Sequence, residues 1–405
     1  MGFYNMSTGD APLFAEIARN YAIGDNYHQA IAGGTGANFL ALVTADAAFY
    51  NVNGVAQQPP TAVATTINGI ATTVSQIENP EPSAAAAAAG NPNWYTEDGY
   101  GGGSYVNCAD AGQPGVAAIL ARLSENRINP NCAPGHYYLV NNYNLGYSAS
   151  GVLTDAAAKP FTLPPQPASL PNIADALSAA GISWKYYSGG RGNGKSPSSE
   201  YCGICDPLTA FTSVMTTPLM GNLQDVTAFY GDLAADTLPA VSYVRPFETM
   251  AGHPANSNIA NYENFVADLV NMVQSKPDLW KTTAIIVTTD EGGGYFDSGY
   301  VQPVDFFGDG TRIPLLAISP YARAGFVDHT YYDHASILKF IERNWGLAPL
   351  SPRSRDNLPN PAQGDGDYRP HNAPAIGDLM ALFDFRQIRE NAPVIAVPVP
   401  AAKED

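Results

Sequence analysis

Positive charge is scarce in this 405-residue chain: 20 Lys and Arg stand against 37 Asp and Glu, a formal net charge of −17. A broad nucleic-acid surface needs clustered basic residues, so the balance argues against one. An anionic ligand would be repelled at long range, and holding one would take a local cation such as a bound metal. Long apolar runs are missing too, and none is long enough to cross a membrane as a helix. Met1–Asp10 has neither the basic start nor the apolar core of a secretory leader. Cysteine is limited to Cys108, Cys132, Cys202 and Cys205. Only the last two have CxxC spacing, and two more at unrelated spacing fit a structural zinc site poorly. An even count in Gly/Tyr/Asn-rich loops fits disulfides Cys108–Cys132 and Cys202–Cys205, and with them an oxidising compartment. Four reduced thiols are the alternative.

Glycine and proline are plentiful, 38 and 33 residues, which suits long ordered loops on a normally apolar chain. The length fits one decorated α/β domain over residues 1–392, ending in an extended or disordered tail, Pro393–Asp405. Asn51–Ser104 reads as an insertion rich in Pro, Thr and Gln, with a short Ala84–Ala89 run and a closing Gly101–Gly103. Helical spacing is expected over Pro12–Ala22, Ala37–Ala48, Gly115–Leu123, Ile173–Ala180, Leu223–Ala235, Tyr262–Gln274, His334–Trp345 and Ile376–Leu382. Strands are expected at Ala22–Asn26, Tyr137–Val140, Ile182–Tyr187, Ala240–Val244, Ala284–Thr289 and Ile313–Ser319. This alternation predicts a mostly parallel central sheet with helices on both faces.

The Ala284–Thr289 strand stops on two adjacent acids, Asp290 and Glu291, followed by Gly292, Gly293 and Gly294. Ligands of open α/β folds bind outside the carboxyl ends of strands. Two carboxylates there repel unless a cation or a shared proton lies between them. Glycines let backbone pass close to a ligand. An acidic turn leading into a flexible loop is the plainer reading. In Asp25–Asn38, Thr35 follows two glycines where a helix starts, and helix N-termini attract anions. Asn38 lies one turn on, able to donate to the same anion. An N-cap Thr after a glycine turn is the commoner arrangement. His253 sits in a polar loop after Arg245-Pro246, and His334 opens a helix beside Asp333; surface or capping roles would account for each. His329 reads as structural.

Two other signatures fail. Gly189–Ser196, GGRGNGKS, matches the phosphate-loop pattern, but Pro197 follows where a helix should begin. No G-x-S-x-G elbow exists for serine-hydrolase chemistry.

Together, GDNYHQAIAGGTGAN (Gly24–Asn38), LPAVSYVRP (Leu238–Pro246), GHP (Gly252–Pro254), TAIIVTTDEGGGYFD (Thr283–Asp297), the Arg312–Leu347 segment and the FDF of Phe383–Phe385 resemble one family. It is the bacterial phosphoesterases of the alkaline-phosphatase-like superfamily, which include phosphocholine-preferring phospholipases C and acid phosphatases. The resemblance implies a metal-dependent phosphoric ester hydrolase, exported to the periplasm or medium. Thr35 would be a transiently phosphorylated nucleophile and Asn38 a ligand of phosphoryl oxygens. Asp290 and Glu291, with Thr35, would hold one divalent metal. His253 falls at the active-site His and His334 at a second, substrate-binding His position. The substrate would be a phospholipid head group or a small phosphomonoester.

The pattern is departed from in three places. An ENxSFD-type segment, whose Glu and Asn complete the metal shell in relatives, is not found before Asp25, so Met1 reads as an internal or misassigned start. Ser298, not His, follows Asp297. Tyr186 and Tyr187 occupy a region where some relatives place histidines. The rival expectation is a non-catalytic exported binding protein on a degenerate scaffold. An esterase or sulfatase of the same superfamily is a third.

Overall fold

The computed structural model describes residues 9–67, 70–77, 105–113, 115–156, 159, 161–194, 196–254, 256–364 and 366–389. Residues 1–8, the Ala84–Ala89 run, Gly101–Gly103 and the Pro393–Asp405 tail lie outside the described residues.

Two sheets carry five of the six expected strands; the sixth, at Tyr137–Val140, forms as Tyr138–Leu139 in an antiparallel pair with Tyr105–Val106. In the four-stranded sheet the order is Ile285–Thr288, Leu315–Ile318, Ala22–Gly24, Phe326–Asp328. Leu315–Ile318 is buried at all four positions and runs antiparallel to both of its neighbours, pairing Ala317 with Ala22 and Leu315 with Thr288. Ala22–Gly24 then pairs in parallel with Phe326–Asp328. Three strands therefore point one way and only the second in the order is reversed. The other sheet, Val241–Arg245, Trp184–Ser188, Leu223–Asp225, is parallel throughout. The α/β class stands, while the single mostly parallel sheet is corrected to one mixed sheet, one parallel sheet and three two-stranded antiparallel pairs among the described residues. Two of the seven strands carried no signal of their own. Phe326–Asp328 is three residues long. Leu223–Asp225 was expected to be helix, yet Asp225 caps the helix that follows, its carboxylate accepting from the Thr227 amide at 2.9 Å. A cap residue is extended, so the chain before it is free to pair.

Side chains alternate across a strand. Trp184 and Tyr186 accordingly enter one hydrophobic cluster with the Thr35–Thr44, Ile173–Ala179 and Ala335–Trp345 helices. Tyr187 enters a second with the four-stranded sheet and the Pro12–Asn20 and Ile259–Gln274 helices. The parallel sheet thus has a core on each face, as parallel sheets generally do. On Ile259–Gln274, Phe265, Val266, Leu269, Val270 and Val273 form one buried stripe. Glu263 of the same helix accepts from the Phe14 amide at 2.8 Å, capping a helix whose own N-cap, Ala11, offers nothing.

Ile376–Leu382 is not a helix; only a 3₁₀ turn, Met380–Leu382, forms there. The described part of the insertion makes two hairpins, Asn51–Val52 with Val55–Ala56 and Val63–Ile67 with Ile70–Val74. Both expected disulfides are present, Cys108–Cys132 and Cys202–Cys205. No helix among the described residues is long and apolar enough to cross a membrane.

Candidate functional site

The reversed strand has a consequence for the site. Because Leu315–Ile318 opposes both neighbours, the carboxyl ends of Ala22–Gly24, Ile285–Thr288 and Phe326–Asp328 all open on one side. The Asp25–Thr35 and Asp290–Asp297 loops leave the sheet there together, as does the stretch from His329 to His334.

Thr35 is the first residue of the Thr35–Thr44 helix, two positions earlier than sequence spacing predicted. It is 7% exposed, and its Oγ1 donates to Glu291 Oε1 at 2.6 Å. Glycine is required just before it, since a Cβ on Gly33 would overlap the Val140 carbonyl. Gln29 fastens the two loops: its Oε1 accepts from the Gly292 amide and its Nε2 donates to the Ile31 carbonyl, both at 2.9 Å. Burial pushes the Asp290 carboxyl above its usual range. Local backbone amides, the charge of Arg245 and a hydrogen bond from Thr35 oppose that shift. A cation between two such carboxylates would remove their repulsion.

The last carbonyls of the strand are tied from two helices. Tyr262 donates to the Thr288 oxygen at 2.8 Å, and His334 Nε2 lies 3.2 Å from the Thr289 oxygen. His334 is 1% exposed and its pKa is lowered to about 4, first by burial and then by Arg355, against its bond to Thr289. This places it behind the acidic pair as a brace. Asn38 is fully buried, accepting from the Ile31 amide and donating towards the carbonyls of Ile31, Gly33 and Gly34. Its amide is thereby committed to shaping the loop before Thr35. His253 is half-buried in the loop after Arg245, and the next residue, Pro254, abuts Gly293. The structure therefore brings together Thr35, Asp290, Glu291 and the His253 loop, with Asn38 and His334 behind them.

Beyond the acids, Asp297 is engaged by Arg312 through Nη2 at 2.6 Å, Nε and the backbone amide. Burial would raise its pKa, but these bonds outweigh it and bring it to about 2. His329 pairs with Asp25 at 2.7 Å, in keeping with a structural role. Tyr186 and Tyr187 donate away from the acidic pair, to the Cys205 carbonyl and to Asp232. The GGRGNGKS stretch starts no helix among its described residues, and Arg191 within it is buried against Asp206.

One metal-type cluster of three exists among the described residues, Cys202, Cys205 and Glu248. Its sulfurs are bonded to each other and cannot serve as thiolate ligands. The acidic pair and Thr35 instead supply three oxygens, the donor type of hard divalent cations, which take six or so. They fit such an ion as part of its shell. A cleft of about 410 Å³ adjoins Glu291 and Gly292–Gly294, with apolar walls from Ile31, Val106, Ile119, Val140, Phe306 and Phe307.

Sequence reading missed Gln29, Arg245 and Arg312 as parts of this site. Arg245 alone gave a signal, as a cation at a strand's carboxyl end.

A family model described as the Phosphoesterase family matches residues 1–348, and the chain belongs to that family. It is 27% identical to the hemolytic phospholipase C of Pseudomonas aeruginosa over 52% of this chain and 32% of that protein. A phospholipase C B of Mycobacterium tuberculosis is 30% identical over 42% of this chain and 38% of its own length. With a probable acid phosphatase of Kluyveromyces lactis the identity is 28%, over 47% and 45%. The matched segments thus span less than half of each of these relatives. Among solved structures, a Pseudoalteromonas sulfatase overlaps 85% of this chain and 63% of its own at a TM-score of 0.31 and 14% identity, too loosely to bear on the fold.

Proposed function

We propose that residues 1–392 form an exported phosphoric ester hydrolase that works through a phospho-Thr35 intermediate. The observation that carries this reading is the 2.6 Å hydrogen bond from Thr35 Oγ1 to Glu291 at a helix N-terminus. Family membership and the names of the relatives support it, and the two disulfides support export.

In this mechanism Thr35 Oγ1 bonds to phosphorus as its proton passes to Glu291. The ester P–O bond breaks and the alcohol leaves with a proton, for which His253, in the loop that abuts Gly293, is the donor this reading assigns. Water then attacks the phosphothreonine, releasing the phosphate product and restoring the hydroxyl. A divalent cation held by Asp290, Glu291 and Thr35 would neutralise the carboxylates and the charge growing on the phosphoryl group. The apolar cleft beside Glu291 favours an ester with an apolar alcohol, such as a phospholipid, over a small polar phosphomonoester.

Hydrolysis of 4-nitrophenyl phosphate, 4-nitrophenyl phosphorylcholine and a short-chain phosphatidylcholine tests this, with EDTA, with divalent metals restored, and with Thr35→Ala. Metal-dependent turnover that Thr35→Ala abolishes is expected. Full activity in Thr35→Ala would rule out the mechanism, and no turnover with any metal would favour a non-catalytic binding protein.

A further inference from the structure

Two neighbouring strand ends beside the acidic pair carry buried polar atoms with nothing to bond. Val241–Arg245 and Trp184–Ser188 pair in parallel with Arg245 opposite Ser188. Register partners project from the same face, as the pair two residues earlier confirms: Tyr186 stacks on Tyr243 with ring centres 5.7 Å apart. Arg245 is 9% exposed, and its Nη2 donates to Glu248 at 2.9 Å. Its Nη1 and the fully buried Ser188 Oγ find no hydrogen-bond partner among the described residues.

The position is not remote. The chain leaving Arg245 runs through His253 and seats Pro254 on Gly293. Glu248 also accepts from Asn256 of that same loop at 3.2 Å. The helix that follows ties Tyr262 to Thr288, two residues before Asp290. Tyr143 packs against Gly36, next to Thr35, and its hydroxyl too is buried without a partner among the described residues.

Leaving a buried charged donor unpaired is costly. A planar guanidinium with one edge committed to Glu248 and one nitrogen open suits an oxygen of a tetrahedral anion. We propose that Arg245, with Ser188 beside it, is the seat for a non-bridging phosphoryl oxygen of the ester. This deepens the hydrolase reading and rests on it for the identity of the anion. Charge balance alone would explain a cation on a strand end, but not buried polar atoms left unpaired on both of two paired strand ends.

The test is calorimetric titration of the full chain with inorganic phosphate, alongside kcat and KM for 4-nitrophenyl phosphate. Arg245→Lys keeps the charge. Arg245→Met combined with Glu248→Gln removes the cation without stranding an acid, so that folding is not the issue. Phosphate binding about tenfold weaker or more in the double variant is expected, the loss of one charge-assisted hydrogen bond. Partial recovery in Arg245→Lys, a smaller loss in Ser188→Ala and a matching rise in KM complete the pattern. Equal phosphate affinity in wild type and the folded double variant would overturn the proposal, as would a wild type that binds no phosphate. The two readings fail separately. Arg245-dependent phosphate binding without turnover sinks the hydrolase and keeps the seat; turnover with Arg245-independent binding does the reverse.

Discussion

His334 Nε2 lies 3.2 Å from the carbonyl oxygen of Thr289, one residue before Asp290, although the two are 45 residues apart in sequence. A carbonyl can only accept, so the imidazole donates from Nε2, and its lowered pKa keeps it the neutral Nε2–H form near neutral pH. A pKa lowered to about 4 and almost no exposure suit it to brace the strand end rather than to donate a proton to a leaving group. Its depressed value also fixes a sign. The unfolded chain binds a proton below about 6.5 that the folded chain takes up only near 4, so stability falls as pH drops through that window. His334→Gln is expected to lessen this acid loss in thermal melts from pH 4 to 7. It should lower kcat without moving the pH–rate profile; a displaced profile would restore His334 as a catalytic acid or base.

Arg355 holds three carboxylates that sequence spacing kept apart: Asp305 and Asp309 at 2.7 Å and Asp333 at 3.3 Å, all buried. It also donates to the Ala30 carbonyl in the loop before Thr35. Removing one partner from a buried ionic network costs roughly 3–5 kcal/mol. Arg355→Met should lose about that much in urea unfolding, and the Ala30 loop should exchange its amide hydrogens faster. A loss below about 1 kcal/mol would show that the network is nearly neutral overall.

Glu342 is buried beside Asp356, and burial first, then the Asp356 hydrogen bond and charge, push its pKa up to about 9. The folded chain keeps this proton between pH 4.5 and 9 while the unfolded chain releases it, so stability falls as pH rises through that range. Glu342→Gln is expected to flatten this decline, melting higher than wild type at pH 8 and about equally at pH 5. Parallel melting curves at both pH values would place the proton elsewhere.

Asp290 is half-buried, and burial raises the pKa of its carboxyl. Without a cation its charge is a cost, so Asp290→Asn should be as stable as wild type, or more so, in EDTA. Adding Mn²⁺, Zn²⁺ or Mg²⁺ should raise the wild-type melting temperature and leave the variant unmoved. An equal shift in both would mean that the ion binds away from the acidic pair.

Thr35→Ala and Glu291→Gln remove the two ends of the 2.6 Å hydrogen bond. Each is expected to lower kcat on the order of 10³-fold or more, and the double variant little further, because residues that act as a unit are not additive. Multiplying losses would mean that the two act independently.

Much of the site was legible because its parts are local. A strand ending just before Asp290-Glu291 and a helix opening by Thr35 are short-range patterns, and both form within two residues of where the spacing puts them. The expected roles of Asn38 and His334 came from their places in a motif. The structure turns Asn38 back onto its own loop and His334 onto Thr289, orientations that depend on which backbone atoms folding brings near. Leu223–Asp225 and Phe326–Asp328 escaped because three-residue strands carry too little periodicity to register. Ile376–Leu382 shows the converse, apolar spacing without enough helix-forming neighbours to propagate past one turn.

By itself the sequence determined the α/β class, the excess of acid, the motif residues and the pairs of cysteines that could join, since composition, period and chain-local chemistry are written residue by residue. Tertiary structure alone decided that the second strand in the sheet's order is reversed, so that three carboxyl ends open on one side. It also decided that Gln29 reaches Gly292 across 263 residues and that Arg245 is buried with a nitrogen to spare. Pairing direction and burial are set by contacts between segments far apart in the chain, and no local pattern encodes those.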